Sequence, residues 1–299
     1  MGNGLIGRNR ELEQLSLCIS EGRHAMMSEP PGSGIRTLVQ HFLDSSGLPH
    51  SVLDMLAVRS IHPIERAVHK IAARTEGKTL LWIKNFHNLL LFEDPAAAQK
   101  SIERLLAGCG NLICIFSSSH INAMDRIFRR QRFLQGQCRR IRLWPIDEKL
   151  MVEHTINEFS KMGRVVSYDQ IKLLHRSVDG NPWYFIHLCD ICFSKTIGYV
   201  TDKNIEDSIQ SLLSIHHTRF EAIMHELSTH QVNFLKAVFD SVKRFSSAES
   251  ISYYGLNSSA NIHRVREALL KKEVISIDES DIPYIIDPLF HLWLKSYYA

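Results

Sequence analysis

Short runs of apolar residues alternate with helix-spaced apolar positions over the first half of the chain. Four runs are nearly continuous in apolar residues, at 24–28, 78–86, 111–119 and 138–146. Buried parallel strands have this pattern because both of their faces are covered. Between the runs, apolar residues recur every three or four positions, which predicts helices at 8–21, 63–75, 95–107 and 121–133, and one more after residue 34. This alternation predicts an α/β fold with a doubly wound parallel sheet.

The pattern changes at residue 147, where strands give way to helical periodicity. Five helices are predicted at 147–162, 167–178, 182–195, 202–214 and 216–227. Asp147, Ser167 and Asn181 stand at the start of three of them, and such side chains cap helix N-termini.

The last part of the chain has the pattern of a winged helix. Three helices at 229–242, 247–254 and 258–272 are followed by a strand pair at 274–278 and 283–286 and by a final helix. We therefore expect three domains: an α/β core at 1–146, a helical lid at 147–227 and a winged-helix domain at 228–299.

The sequence EPPGSGIRTLV at 29–39 follows the first apolar run and opens a helix. A phosphate-binding loop with the pattern G-x-x-x-x-G-K-S/T directs backbone N–H groups and a lysine at phosphate, and its hydroxyl residue holds magnesium. Aligned without a gap, Glu29 replaces the first glycine, Ile35 the lysine and Arg36 the hydroxyl residue. A one-residue insertion would instead give Arg36 and Thr37 the lysine and threonine roles, but the form of PPGSG favours the ungapped alignment. The candidate nucleotide-binding residues are Pro30, Pro31, Gly32, Ser33, Gly34, Ile35, Arg36 and Thr37.

A second motif, LLWIKNF at 80–86, has the hydrophobic residues that precede an Asp-Glu pair in ATP-hydrolysing sites. There the Asp supports magnesium and the Glu polarises the attacking water. Lys84 and Asn85 occupy these two positions, and a lysine repels the metal ion. We expect hydrolysis to be impaired or absent and magnesium to be dispensable, and we assign no catalytic residue. Binding of ATP or ADP, weakly or as a regulatory switch, would then depend on Arg36 or Lys84 to neutralise phosphate.

These motifs and others resemble those of the prokaryotic AAA-like P-loop ATPases of the archaeal-ATPase type, a branch of the signal-transducing NTPases. The similar segments are IGRNRELEQL (6–15), PPGSG (30–34), LLWIKNF (80–86), LICIFSSSH (112–120), GQCRRIRLWPI (136–146), DGNPWYF (179–185) and YIIDPLFHLWL (284–294). The resemblance implies that 1–146 is a P-loop NTPase core, with 6–15 near the adenine and the polar end of 112–120 near the terminal phosphate. Departures fall on the catalytic positions, so the resemblance implies the fold but does not imply hydrolysis.

Composition adds few constraints. The net charge of +3 permits a nucleic-acid partner without requiring one. No run of about 18 apolar residues occurs, so we expect no membrane span. The opening residues lack the apolar run of a secretory signal, and Ile6 stands where N-myristoylation of Gly2 needs Ser or Thr. With six scattered cysteines, these features predict a cytoplasmic protein with reduced thiols.

The predicted third helix of the winged helix, 258–272, could read DNA. Its basic residues are His263, Arg264, Arg266, Lys271 and Lys272. Winged helices of the resembled family also serve as packing and partner surfaces, and the low net charge favours that role. The alternative to a nucleotide switch is therefore a nucleotide-free scaffold or a DNA-binding adaptor.

Two further clusters allow a functional and a structural interpretation. Six arginines between 129 and 142 could bind nucleic acid or offer an arginine finger to another subunit of a homo-oligomer. A solvated helix end and strand edge is the favoured interpretation, because no aromatic residues interleave for stacking. Cys189 and Cys192 form a C-x-x-C pair without a second pair at zinc spacing, so we expect buried core thiols.

Overall fold

The computed structural model describes residues 5–73 and 77–298. Gly2, residues 74–75 of the predicted helix 63–75 and the ends of the predicted domains at 1–4 and 299 lie outside the described residues. The chain forms two compact units, one from Leu5 to Trp144 and one from Pro145 onward.

A five-stranded sheet organises the first unit, and every strand pair in it is parallel. The strands are β1 (His24–Ser28), β2 (His50–Asp54), β3 (Thr79–Lys84), β4 (Leu112–Ser118) and β5 (Cys138–Arg140). Their spatial order is β2-β3-β4-β1-β5, so β4 separates β1 from β3. The predicted α/β fold with a doubly wound parallel sheet is confirmed.

Helices cover both faces of this sheet. They are α1 (Asn9–Ser20), α2 (Ile35–Ser45), α3 (His62–Ala72), α4 (Pro95–Ala107) and α5 (Ile121–Asp125), with a 3₁₀ turn at Phe86–Leu91. One face packs Met27 and Trp82 against α1 and α2 residues such as Leu15. The other packs Ile83 against residues such as Ile102 of α4. Alternate strand residues thus belong to two separate hydrophobic clusters, as expected for a sheet buried on both sides.

Three local predictions in this unit were wrong. Strand β2 was missed, because HSVLD alternates in exposure along an edge strand instead of forming an apolar run. Strand β5 covers 138–140 and not 138–146, because the Leu143 N–H leaves the strand ladder for a carboxylate acceptor. The helix predicted at 121–133 is α5 followed by a π turn at Arg126–Arg130, and it ends before Arg132, which has a positive φ of 57°.

The second unit begins with four helices: α6 (Glu148–Lys161), α7 (Tyr168–Ser177), α8 (Pro182–Lys195) and α9 (Asp202–His225). Asp147, Ser167 and Asn181 are the N-caps of the first three and accept backbone N–H groups, as predicted. The predicted break between 202–214 and 216–227 was wrong. Helix α9 is continuous for 24 residues, because no glycine or proline interrupts it.

The C-terminal part has the helices and hairpin of a winged helix. Its elements are α10 (Thr229–Phe239), α11 (Ala248–Tyr254), α12 (Ser259–Lys271), β6 (Ile275–Ile277), β7 (Pro283–Ile285) and α13 (Pro288–Tyr298). Strands β6 and β7 are antiparallel. Val265, Leu269 and Leu270 of α12 are buried and form its core-facing side.

Two observations concern the remaining sequence predictions. Cys189 and Cys192 are buried in α8, as predicted for core thiols. Among the described helices, none combines the length and the apolar character that crossing a membrane requires.

Gly180 provides a test of the packing around the α7–α8 turn. It has a φ of +65°, and an added Cβ would lie 2.9 Å from Cε1 of His175, which is buried. Gly198 has a φ of +78° with nothing within 4 Å of an added Cβ. We expect Gly198→Ala to lose about 1 kcal/mol of unfolding free energy through backbone strain alone, and Gly180→Ala to lose a further 1–3 kcal/mol, roughly, through overpacking. Denaturant unfolding of both variants measures the difference, and equal losses would contradict the contact with His175.

Candidate functional site

The loop between β1 and α2 has the backbone of an anion cradle. It runs over residues 29–34 at the carboxyl end of β1, which is next to β4 inside the sheet. Gly32 and Gly34 have positive φ values of 83° and 95°, a conformation that glycine adopts without steric cost. Gly34 is the N-cap of α2 and provides no side-chain acceptor, so the first-turn N–H groups of α2 are available to a ligand.

Some backbone donors of this loop are nevertheless lost. Pro30 and Pro31 have no N–H group. The N–H of Ser33 donates to the carbonyl oxygen of Pro30 at 3.2 Å. The remaining donors that can face an anion are Gly32, Gly34 and the first turn of α2. The loop therefore keeps the backbone conformation of an anion cradle but has fewer free N–H donors.

The side chains that follow the loop point to different surroundings. Ile35, in the lysine position, packs against the hydrophobic cluster that α1 and α2 share with the sheet. Arg36 and Thr37 are exposed. Within the described residues Arg36 has no ion-pair partner, and a cation at a helix N-terminus is disfavoured unless an anion joins it. Arg36 is therefore the cation of this loop that a phosphate group can engage.

Glu29, in the position of the first glycine, faces the segment that follows β5. Its carboxylate accepts the N–H of Leu143 at 3.1 Å. Burial raises the pKa of Glu29, although this hydrogen bond and the charges of Arg140, Arg142 and Arg8 act in the opposite direction. The residue thus fixes one end of the loop to the sheet edge.

Arg8 fixes the loop from the other side and was not singled out by the sequence analysis. This arginine is only 4% exposed. Its guanidinium donates to Glu11 at 3.1 Å, to the carbonyl of Ser33 at 3.0 Å and to the carbonyl of Trp144. The carboxylate of Glu11 also accepts the Trp144 N–H at 3.1 Å. An arginine with a glutamate three residues later, at a helix start, was the available signal in the sequence.

At the carboxyl end of β3, Lys84 and Asn85 share one acidic partner. The ammonium of Lys84 lies 2.9 Å from Oδ2 of Asp54, and the amide of Asn85 donates to Oδ1 of Asp54 at 2.7 Å. Asn85 adopts a left-handed conformation with a φ of 54°. Burial tends to raise the pKa of Asp54, but the hydrogen bonds from Lys84 and Asn85 outweigh it and lower that pKa.

Asp54 was missed because it ends the unpredicted strand β2. Both of its carboxylate oxygens are engaged, and Lys84 is compensated in charge. These residues do not fit a magnesium ion, which needs oxygen ligands without an adjacent ammonium group. Of the two cations that the sequence offers for phosphate, Lys84 is paired with Asp54, and Arg36 has no ion-pair partner among residues 5–73 and 77–298.

The carboxyl end of β4 adds hydroxyl and imidazole groups. Ser118 Oγ lies 2.7 Å from Nδ1 of His87, and the rings of His87 and His120 stack with 3.7 Å between their centres. Burial, with smaller contributions from His120 and Arg59, lowers the pKa of His87 to about 4. Ser28 pairs in register with Ser118, and its buried hydroxyl has no hydrogen-bond partner among the described residues. A row of uncharged polar groups therefore borders the loop.

Four of the five basic residues predicted for DNA binding lie on α12, and Lys272 directly follows its last residue. His263, Arg264, Lys271 and Lys272 are exposed. Arg266 pairs with Asp281 of the hairpin turn, and Lys272 lies 3.6 Å from a carboxylate oxygen of Glu226. These pairs reduce the positive charge that the helix can present to a nucleic acid.

The arginine-rich segment is also partly neutralised. Arg129 and Arg130 contact Asp125 at 2.8 and 3.6 Å, and Arg139 contacts Glu21 at 2.9 Å. Ion pairs of this kind occur on solvated surfaces, where they contribute little to stability.

Comparison with known families identifies the C-terminal domain. Residues 218–296 match the family model described as a probable winged helix domain. No curated protein matches the sequence.

Solved structures share the architecture of the whole chain. A Walker-type ATPase of Pyrococcus abyssi is 13% identical with a TM-score of 0.75, over 97% of this chain and 96% of that one. The ORC1 protein of Aeropyrum pernix in complex with DNA is 9% identical with a TM-score of 0.56, over 99% and 94%. The RuvB Holliday junction branch migration motor of Thermotoga maritima is 14% identical with a TM-score of 0.53, over 94% and 92%. At these identities the likeness shows the fold, that of a P-loop ATPase with a C-terminal winged helix.

The low pKa of His87 makes a prediction about pH. A histidine whose pKa is near 4 when folded and about 6.5 when unfolded favours the folded state above pH 6.5. That contribution is lost as the pH falls from 6.5 to 4. Because the ring is only partly buried, we expect the unfolding free energy of wild type to fall by about 1–2 kcal/mol more than that of His87→Gln between pH 6.5 and 4. Unfolding free energies of both proteins measured at several pH values test this, and parallel pH profiles would contradict it.

Proposed function

We propose that this protein binds ATP or ADP in the 29–34 loop as a regulatory switch, with hydrolysis impaired or absent. The observation that carries the proposal is the engagement of Asp54 by Lys84 and Asn85. It places an ammonium and an amide at the end of β3, where hydrolysis requires a metal-binding carboxylate and a general base.

Nucleotide binding is supported by the geometry of the loop. The positive-φ glycines and the uncapped start of α2 provide backbone donors for phosphate oxygens. Arg36 supplies a charge that reaches phosphate by hydrogen bonding without a metal ion. We propose Pro30 to Thr37 as the binding segment, with Ile35 contributing its N–H group and not its side chain.

Weak turnover is supported by the identity of the same residues. Removing a single donor that stabilises transition-state charge lowers rates by roughly 10²–10³. Ile35 replaces one such donor, the lysine, and Arg36, Lys84 and Asn85 replace the hydroxyl residue, the metal-supporting carboxylate and the carboxylate that polarises the attacking water. The Pyrococcus structure described as a Walker-type ATPase supports a nucleotide as the ligand class, while the substitutions in this chain separate binding from turnover.

We further propose that the P-loop core is 1–146, the helical lid 147–227 and the winged-helix domain 228–299, in a cytoplasmic protein. In such a switch, nucleotide occupancy would bias a conformation that another protein or a second copy of the chain reads. Magnesium is not required in this scheme.

The nucleotide proposal is tested with a fluorescent ATP analogue. We expect saturable binding of similar affinity with magnesium or with EDTA, because Arg36 and backbone donors hold the phosphates. Arg36→Gln should weaken binding at least fivefold, since it removes about 1–2 kcal/mol of charge-assisted hydrogen bonding. Arg66→Gln, an exposed arginine on α3, is the matched control and should bind as wild type does.

Two outcomes would refute this proposal. Absence of binding to wild type at millimolar nucleotide would leave the scaffold or DNA-binding role. Binding that requires magnesium and is followed by steady phosphate release would mean that the protein is an active ATPase.

A DNA-binding adaptor is the second candidate, favoured by the similar ORC1 structure that is in complex with DNA. In this role the exposed His263, Arg264 and Lys271 would contact backbone phosphates. We expect a plot of the logarithm of the duplex affinity against the logarithm of the salt concentration to have a slope of about −2 to −3, because two or three phosphate contacts imply such a slope. Mobility shifts of wild type and Arg264→Gln/Lys271→Gln over a range of salt concentrations measure this. Unchanged affinity in the variant would remove α12 as the DNA contact.

A further inference from the structure

A half-open cavity of ≈ 540 Å³ lies at the surface of the winged-helix domain. Its walls are the connection between α10 and α11, the N-terminal half of α12 and the start of β7. The connection at 240–247 forms neither helix nor strand, and the sheet here consists of β6 and β7 alone. Because the connection does not pair with the hairpin, a gap remains between them.

The floor of the cavity is apolar. Phe234 and Phe245 stack with 4.7 Å between their ring centres, and Ile262, Ile282 and Pro283 complete the floor. A floor of two aromatic rings and aliphatic side chains favours a ligand with a flat or branched hydrocarbon body.

The rim of the cavity is cationic on one side. Lys243 and Arg244 line it and are exposed, and in the part of the chain that the structure describes neither has an ion-pair partner. Among the other lining residues Arg266 donates to Asp281, so the charges of these two side chains cancel. The four charged side chains leave a net charge of two positive units on the cavity.

From this arrangement we propose that the cavity binds a small organic anion, a monocarboxylate with an aromatic or branched aliphatic body. The carboxylate contacts Lys243 and Arg244, because Asp281 already compensates the charge of Arg266. The hydrocarbon body covers Phe245, which stacks on the buried Phe234, and contacts Ile262 and Ile282 beside it. The volume falls within the range of about 300–1,000 Å³ that small-molecule sites occupy.

The same rim could also contact a nucleic-acid backbone, but the cavity favours the small anion. A phosphodiester chain would use Lys243 and Arg244 and leave the apolar floor without a partner. A carboxylate with a hydrophobic body satisfies the cations and covers the floor at once. The proposal makes the winged helix an effector-binding domain, and it does not depend on nucleotide binding.

The test uses the full chain and two probes of the same shape, 3-phenylpropionate and its uncharged amide, 3-phenylpropionamide. Saturation-transfer NMR measures both affinities, and backbone amide shifts of Phe245, Ser246 and Ile282 locate the bound probe. We expect the carboxylate to bind at least fivefold more tightly than the amide. Lys243→Gln/Arg244→Gln should remove this preference, since both side chains are exposed and their loss leaves the fold intact.

Lys295→Gln is the matched control, because Lys295 is an exposed lysine of α13 that does not line the cavity. It should keep the wild-type preference for the carboxylate. Equal affinities for acid and amide, no binding of either probe at 10 mM, or an unchanged preference in Lys243→Gln/Arg244→Gln would each overturn the proposal. Loss of duplex DNA binding in that double variant, without binding of the carboxylate to wild type, would reassign the two cations to a phosphate backbone.

Discussion

The contact of Asp54 with Lys84 and Asn85 determines what the carboxyl edge of the sheet can do. One carboxylate on β2 compensates the lysine that ends β3 and holds the next residue in a left-handed conformation. An isolated ammonium group beside this edge would be poorly solvated, and the ion pair offsets that loss. The same pair removes the oxygen ligands that a divalent cation needs. Compensating the charge of Lys84 and binding a divalent cation are therefore incompatible uses of the Asp54 carboxylate.

The phosphate loop depends on a second set of contacts. Buried Arg8 links the start of α1 to Ser33 and Trp144, and Glu29 holds Leu143, so the loop is fixed to elements on both sides of it. The glycines then set the backbone that faces an anion. Fixing a loop in advance lowers the entropy lost when a ligand binds. This gives a physical reason for a binding loop to persist without the lysine and hydroxyl residue that turnover requires.

The sequence predicted what depends on local pattern and missed what depends on neighbouring strands. Continuous apolar runs located β1, β3 and β4, and short polar side chains located the caps at Asp147, Ser167 and Asn181, because these signals lie within a few residues. Strand β2 is an edge strand with alternating exposure, and β5 ends before Leu143, whose N–H donates to Glu29. A continuous apolar run therefore does not mark the position of β2 or the end of β5. At the site, the substitutions at Ile35 and Lys84 were visible in the motifs. The contacts of Asp54 with Lys84 and of Arg8 with the loop could not be predicted, because these residues are far apart in the sequence.

The proposed switch binds nucleotide at one loop without turning it over. The most direct measurement is a single-turnover experiment with radiolabelled ATP and protein in excess, in which filter retention gives the bound fraction and chromatography gives the fraction converted to ADP. We predict that ATP is retained and recovered intact, to the same extent with magnesium and with EDTA. Conversion of the bound ATP to ADP that requires magnesium would contradict it.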